Sequence, residues 1–228
     1  MAKVINHLFG PDELHLKKLE ESLFLAASEL AKKNLVENIG VEAIVNEAQV
    51  SKKTFYKIFK SADGLFGLLG KKLINEMMEY FLSHSPQIPD VAKRVATKTK
   101  WALLIATSMP FLTKLLLKAE WPSLDPSHIL YKDIEKDFLE GVSQGYFSDI
   151  PPSIGVNIII GCLRGGCKDL LEKRQPEDYV NKVVCQVLIS LGVDEERAYK
   201  ISTSPTADFS ALPIKGLVSK VLTTQKTK

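Results

Sequence analysis

Histidine is scarce in this chain. The four residues, at positions 7, 15, 84 and 128, are spread along the sequence, so a catalytic or metal-binding cluster would have to be assembled from distant segments. No nucleophile elbow, phosphate-binding loop, His-Glu-x-x-His run or metal-spaced cysteine pair occurs. Neither an enzyme, a cofactor nor a metal is therefore expected. Cysteine is equally sparse: Cys162, Cys167 and Cys185 are odd in number and irregularly spaced. With no recognisable signal peptide, they are expected to be reduced thiols in a cytoplasmic protein. Cys162 and Cys167 lie five apart on an expected helix, face different ways and do not readily bridge. Small buried hydrophobes are the expectation for these thiols, ahead of oxidant sensors. No apolar run approaches the roughly 20 residues of a membrane span. Hairpin turns, strand-like alternation, internal repeats and low-complexity tracts are missing too, which leaves an all-α chain.

The 228 residues, 45% hydrophobic and 25% charged, suffice for one large domain or two modest ones. A net charge of +3 does not announce a nucleic-acid binder, so any such case rests on where the charge sits. An arm is expected up to Gly10 and Pro11, with Lys3 its only basic residue. No arginine precedes Arg94, which excludes an arginine-bearing minor-groove arm. A helix over 12–34 follows, with Asp12 as cap and Leu16, Leu19, Leu23, Ala26, Ala27 and Leu30 at helical spacing. Asn38 and Gly40 break it. Short helices are expected over 41–48 and from 52 to 59, separated by Gln49, Val50 and Ser51, and a fourth over about 62–84. Pro86 and Pro89 mark the clearest boundary. Beyond it, helices are expected over about 90–108, 111–120, 127–146, 153–173, 176–191 and 194–201. The stretch around Pro205 and Pro213 has no assignable structure.

Residues 41–59 carry the most information. Two short helices joined by a tight turn, the second one basic, form the layout of a DNA-binding helix-turn-helix. Phe55, Ile58 and Phe59 share one face of the second helix, while Lys52, Lys53, Tyr56 and Lys57 share the other. Four lysines and no acid lie between Ser51 and Ala62. Lysines release phosphate counterions, tyrosine hydroxyls donate to phosphate oxygens, and Ser51 can cap the helix.

The pattern over residues 20–70 resembles the TetR family of transcriptional regulators. Leu25, Ala26 and Ala27, Ile44 and Ala48, Val50 and Ser51, Thr54, Phe55, Tyr56 and Phe59, and Leu65 carry the resemblance. It implies an N-terminal helix-turn-helix domain over 1–62, a connecting helix over 63–84, and a helical ligand-binding and dimerisation domain with a C-terminal tail over 85–228. It further implies that Lys52, Lys53 and Thr54 read base edges and that Tyr56 grips a phosphate, with Ser51, Lys57 and Lys60 completing the DNA-binding set. A lysine on a guanine predicts guanine in each half-site. The chain departs from the family in having Gln49 where the turn usually has glycine, and Ala62 where lysine is frequent. Gln49 is expected either to take a left-handed conformation or to adopt a different turn.

For the second half the resemblance implies a small-molecule effector site and a homodimer. Trp101, Met109, Phe111, Trp121, Tyr131 and Phe138 are the candidate ligand-binding residues, with Glu120 and His128 able to orient the molecule. Aromatics at helical spacing are as readily core as pocket. The dimer is expected through 153–191, using the stripe of Val180, Val183, Val184, Val187, Leu188 and Leu191 and the small residues Gly161, Gly165 and Gly166. The expected function is a ligand-responsive regulator, a repressor, that binds a palindromic double-stranded operator and is released by a small, mostly apolar effector. The alternative is a TetR-like DNA-associated protein whose main partner is another protein, an option kept by the long tail after Gly192.

Overall fold

The computed structural model describes residues 11–33, 38–84, 87–118, 125–172, 175–205 and 216–223. Among them are eleven α-helices and no strand. The helices are α1 Pro11–Lys33, α2 Val41–Glu47, α3 Lys52–Ile58, α4 Ala62–His84, α5 Val91–Ser108 and α6 Pro110–Lys118; then α7 Ile129–Ser143, α8 Pro152–Glu172, α9 Tyr179–Ser190, α10 Glu195–Thr203 and α11 Leu217–Thr223. No described helix is long and apolar enough to cross a membrane. They fall into two units, Met1–Leu73 with Ile214–Lys228, and Ile74–Pro213. The break falls inside α4, whose Leu65, Phe66, Leu69 and Leu73 are wholly buried and whose Lys72 reaches Glu20 of α1 at 2.6 Å and lies 5.1 Å from the Phe24 ring centre. The tail also returns to the first unit: α11 packs on α1, burying Val218 and Val221 and pairing Lys220 with Glu21.

The first unit is closed by aromatic side chains. Phe24 of α1 meets Phe59 at 5.6 Å, and Phe59 meets Phe55 at 5.7 Å, around fully buried Leu23, Ala27 and Ile44. Such ring pairs add about 0.5–1.5 kcal/mol each beyond their burial. Helix α2 ends in a Schellman motif: the Val50 amide donates to the Val45 carbonyl (3.0 Å) and the Gln49 amide to Asn46 (3.2 Å). That motif needs a left-handed residue, which here is Gln49 at φ 54°. Among the described residues no other non-glycine has positive φ.

In the second unit α5 is central, packed against α6, α7, α8, α9 and α10. Its small buried residues Ala92, Ala96 and Ala106 let these neighbours approach. Asp90 caps its start by accepting from the Lys93 amide (3.2 Å). Helix α7 stops at Ser143, short of the expected Tyr146, because Gly145 (φ 71°) turns left-handed and the Tyr146 amide bonds back to Gly141 (2.9 Å). Gly192 (φ 102°) ends α9 in the same way, and a side chain there would stand 2.2 Å from Ser148 Oγ. Most of the α9 stripe is spent inside the unit, with Val180 and Val183 half-buried. Val184, Val187, Leu188 and Leu191 are all buried, so they do not offer the dimer face expected of them.

Replacing Gln49 with glycine removes a left-handed penalty of about 1–2 kcal/mol and adds a backbone-entropy cost of about 0.5–1 kcal/mol. Gln49→Gly is expected to stabilise the first unit by about 0.5–1 kcal/mol net, seen as a higher urea midpoint. A lower midpoint would mean that the glutamine side chain contributes more than its backbone costs.

Candidate DNA-reading helix and apolar pocket

The seven-residue helix α3 separates its faces cleanly. Phe55 and Phe59 are buried, whereas Lys52, Lys53, Tyr56, Lys57 and Lys60 are exposed. Ser51 is the cap: its Oγ accepts from the Thr54 amide (3.0 Å) and shares a 2.8 Å hydrogen bond with Thr54 Oγ1. The Tyr56 ring stands edge-on to Phe55 at 5.5 Å while the residue remains 57% exposed, so the core fixes its base and leaves its outer part in solvent. Lys52 lies 3.4 Å from Glu42 in an exposed pair, an interaction weak enough to be exchanged for a phosphate. Lys53, Lys57 and Lys60 have no acid paired to them among the described residues. The predicted DNA-binding residues thus form one short basic surface.

The second unit holds a pocket of about 130 Å³. Helix α4 supplies Ile74, Met77, Met78 and Phe81; α5 supplies Val95, Lys98, Thr99, Trp101, Ala102 and Ile105; α6 supplies Thr113. Leu130, Asp133, Ile134 and Asp137 of α7 and Ile159, Leu163 and Cys167 of α8 complete the wall. Phe81 and Trp101 form a ring pair with centres 4.7 Å apart, tilted by 34°. An apolar cavity of roughly 150 Å³ takes up benzene, so this space is suited to a one-ring molecule.

An ionic ladder joins α5 to α7 at the pocket. Lys98 Nζ donates to Asp133 and to Asp137, each at 2.7 Å. Arg94 Nε donates to the other Asp137 oxygen at 2.9 Å, and Arg94 also reaches Glu140 (2.5 Å) and the Ile88 carbonyl (2.8 Å). Burial opposes the Arg94 charge, but its bonds to Glu140 and Asp137 prevail and raise its pKa. On the wall, burial pushes the Cys167 thiol up to about 11. Among the described residues no cluster of His, Cys, Asp or Glu has the makings of a metal site.

The chain matches no family model and no curated protein. Solved structures do match it. RolR in complex with resorcinol superposes with a TM-score of 0.67 at 16% identity, over 86% of this chain and 98% of that one. RolR without ligand gives 0.69 at 17% identity, over 83% and 98%. An ArpA-like γ-butyrolactone receptor gives 0.52 at 14%, over 82% and 96%. The chain has a TetR-like fold. At these identities the likeness is one of fold, and it agrees with the family pattern carried by residues 20–70.

Within this TetR-like fold the six predicted ligand residues are dispersed. Trp101 is on the pocket wall. Phe138 is fully buried, stacked on Phe147 at 6.0 Å and seated on Gly155, where a Cβ would come within 2.3 Å of its ring. Tyr131 belongs to the buried core of the unit. Met109 caps the end of α5 and Phe111 is half-buried on α6, neither on the pocket wall. Trp121 and Glu120 lie outside the described residues. His128 caps α7, its Nδ1 accepting from the Leu130 amide (3.2 Å). Sequence reasoning missed the α4 wall and the Lys98–Asp133–Asp137 group. The signals existed: an i, i+3, i+4, i+7 apolar set at 74, 77, 78 and 81, and opposite charges spaced i, i+4 at 94 and 98 against 133 and 137.

A buried thiol with a raised pKa is a poor nucleophile. In the native protein at pH 8, Cys167 is expected to resist iodoacetamide and to react only after denaturation; mass spectrometry of the alkylated peptides reads this directly. Fast labelling of native Cys167 would show that the pocket opens to solvent.

Proposed function

We propose that this protein is a DNA-binding transcriptional regulator that acts as a homodimer on a palindromic operator and is released by a small, mostly apolar effector, that is, a repressor. The α3 surface carries this reading: a short helix, pinned by Phe55 and Phe59, leaves Lys53, Tyr56, Lys57 and Lys60 exposed without acids to neutralise the lysines. Lys52, Lys53 and Thr54 take the base edges, while Tyr56, Lys57 and Lys60, with the Ser51 cap, take the backbone. The effector occupies the apolar pocket; the matched RolR structure holds resorcinol, a single-ring molecule of the size this pocket suits. Its walls include Ile74, Met77, Met78 and Phe81 of α4, the helix whose first turns belong to the DNA-reading unit, so a ligand there bears on the segment common to both units. The dimer forms through the outward face of α8 and α9. Side chains built at Gly161 and Gly165 would meet nothing within 4 Å, and Ile154 is 48% exposed, which suits close approach of a second helix. Described parts of the tail after Gly192, α10 and α11, pack on α9 and α1 of the same chain, so no observation favours a protein partner as the main target.

Selection from a randomised duplex pool, followed by fluorescence anisotropy across salt concentrations, tests this reading. Enrichment of a palindrome with half-sites about 34–36 Å apart is expected, with binding that falls steeply with salt. Lys53→Ala is expected to cost about 1 kcal/mol or more, roughly fivefold or greater in Kd, and to relax the sequence preference at the base it reads in each half-site. A pool that enriches nothing would remove the DNA-reading assignment. Gly161→Arg is expected to give a monomer by sedimentation with unchanged helical content, because the new side chain enters open space; an unaltered dimer would place the interface elsewhere.

A further inference from the structure

The polar part of the pocket distinguishes between ligands. The geometry points to a neutral one-ring hydroxylated aromatic as the effector, its hydroxyl donating to Asp133 and accepting from Lys98. This inference rests on the effector role proposed above and sharpens it. A hydroxyl buried in an apolar cavity needs partners on the wall, and Lys98, Asp133 and Asp137 are the charged residues among those that line it. Asp133 uses Oδ2 to accept from Lys98, and its Oδ1 carries no hydrogen bond among the described residues. Lys98 has three ammonium donors and uses two, on Asp133 and Asp137. One open acceptor beside one open donor is the complement of a hydroxyl, which supplies one proton and accepts another.

The same group disfavours other head groups. Arg94 and Lys98 face Asp133, Asp137 and Glu140 across the ladder, two cations against three carboxylates. A carboxylate ligand adds a second unmatched negative charge and brings no proton for Asp133. An ammonium ligand would balance the one unmatched charge and donate to Asp133, but it offers no acceptor to the remaining Lys98 donor. An unsubstituted hydrocarbon fits the carbon surface and leaves the open pair unused. A phenolic hydroxyl stays protonated at neutral pH, since phenols titrate near 10 as tyrosine does. The pocket volume of about 130 Å³ and the Phe81–Trp101 pair suit one ring.

Isothermal titration calorimetry of the full chain at pH 7 with phenol, toluene and benzoate tests this. Phenol is expected to bind at least about tenfold more tightly than either of the others, the magnitude of a hydrogen bond to a charged group. In Asp133→Ala the phenol-to-toluene affinity ratio is expected to fall at least about threefold, because the hydroxyl loses its acceptor while Lys98 remains. Ala102→Phe fills the pocket and is expected to abolish binding of both. The inference is overturned if phenol binds no better than toluene or benzoate to the native protein, or if none of the three binds. Retention of the phenol-to-toluene ratio in Asp133→Ala, or binding that survives Ala102→Phe, overturns it as well. The native three-ligand comparison decides the matter if a variant does not fold. Operator selection is scored separately. A chain that selects no DNA sequence yet shows this preference loses the regulator reading alone, and one that selects an operator without the preference loses the pocket chemistry alone.

Discussion

Asp137 is a carboxylate only 3% exposed, held between Arg94 Nε at 2.9 Å and Lys98 Nζ at 2.7 Å. Much of the second unit depends on that pairing. A buried carboxylate without partners is several kilocalories per mole out of balance, and removing one member of a buried pair costs about 3–5 kcal/mol. Both cations come from α5 and all three acids from α7, so the ladder sets the spacing and register of these two helices. The apolar pocket lies beside it because Lys98, Asp133 and Asp137 line the wall as well as the ladder. Replacing the ladder with hydrocarbon could be neutral or better for stability, as it often is for buried ion pairs. Its place next to a cavity lets the same residues that set the register of the two helices also meet a bound molecule.

In the first unit the constraint is aromatic. Phe24, Phe55 and Phe59 hold α3 by one face, which allows the other to carry several lysines without collapse. Most of this was legible in the sequence, because the amphipathic split of a seven-residue helix is set by local spacing and needs no knowledge of tertiary neighbours. Gln49 was legible as a departure but not in its outcome. Two backbone hydrogen bonds, from Gln49 to Asn46 and from Val50 to Val45, close the turn, and they need the left-handed angle whichever residue occupies it. The geometry of the motif prevails over the residue's preference.

The pocket was far less legible. Size and aromaticity drew attention to Phe138, yet its place is decided by a glycine seventeen positions later: Gly155 provides the hollow that seats the ring. Trp101 reaches the wall because its partner is Phe81 of α4, at 4.7 Å, a contact between residues twenty apart. Such outcomes depend on which helix faces are apposed, and composition does not encode that. The α9 stripe shows the same limit from the other side. An apolar helical face reads identically whether it is buried within a unit or between two copies. Only the packing shows that Val184, Val187, Leu188 and Leu191 are already used.

Helix α8 links these features. Gly155, Ile159, Leu163 and Cys167 are buried on its inner side, and the last three line the pocket. Gly166 also faces inward, where a Cβ would come 2.8 Å from a Leu103 methyl. Gly161 and Gly165 lie on the outer side with open space before them. A helix packed this closely moves as a body rather than residue by residue, because interiors near crystalline density transmit displacement instead of absorbing it. A ring entering the pocket therefore presses on the helix whose far face is proposed to meet the second copy. The binding free energy available for a switch is the difference in ligand affinity between the two arrangements of that helix, not the affinity itself. An open hydrogen-bonding pair that is satisfied only when α5 and α7 stand at one spacing would supply such a difference, and a purely greasy pocket would supply much less.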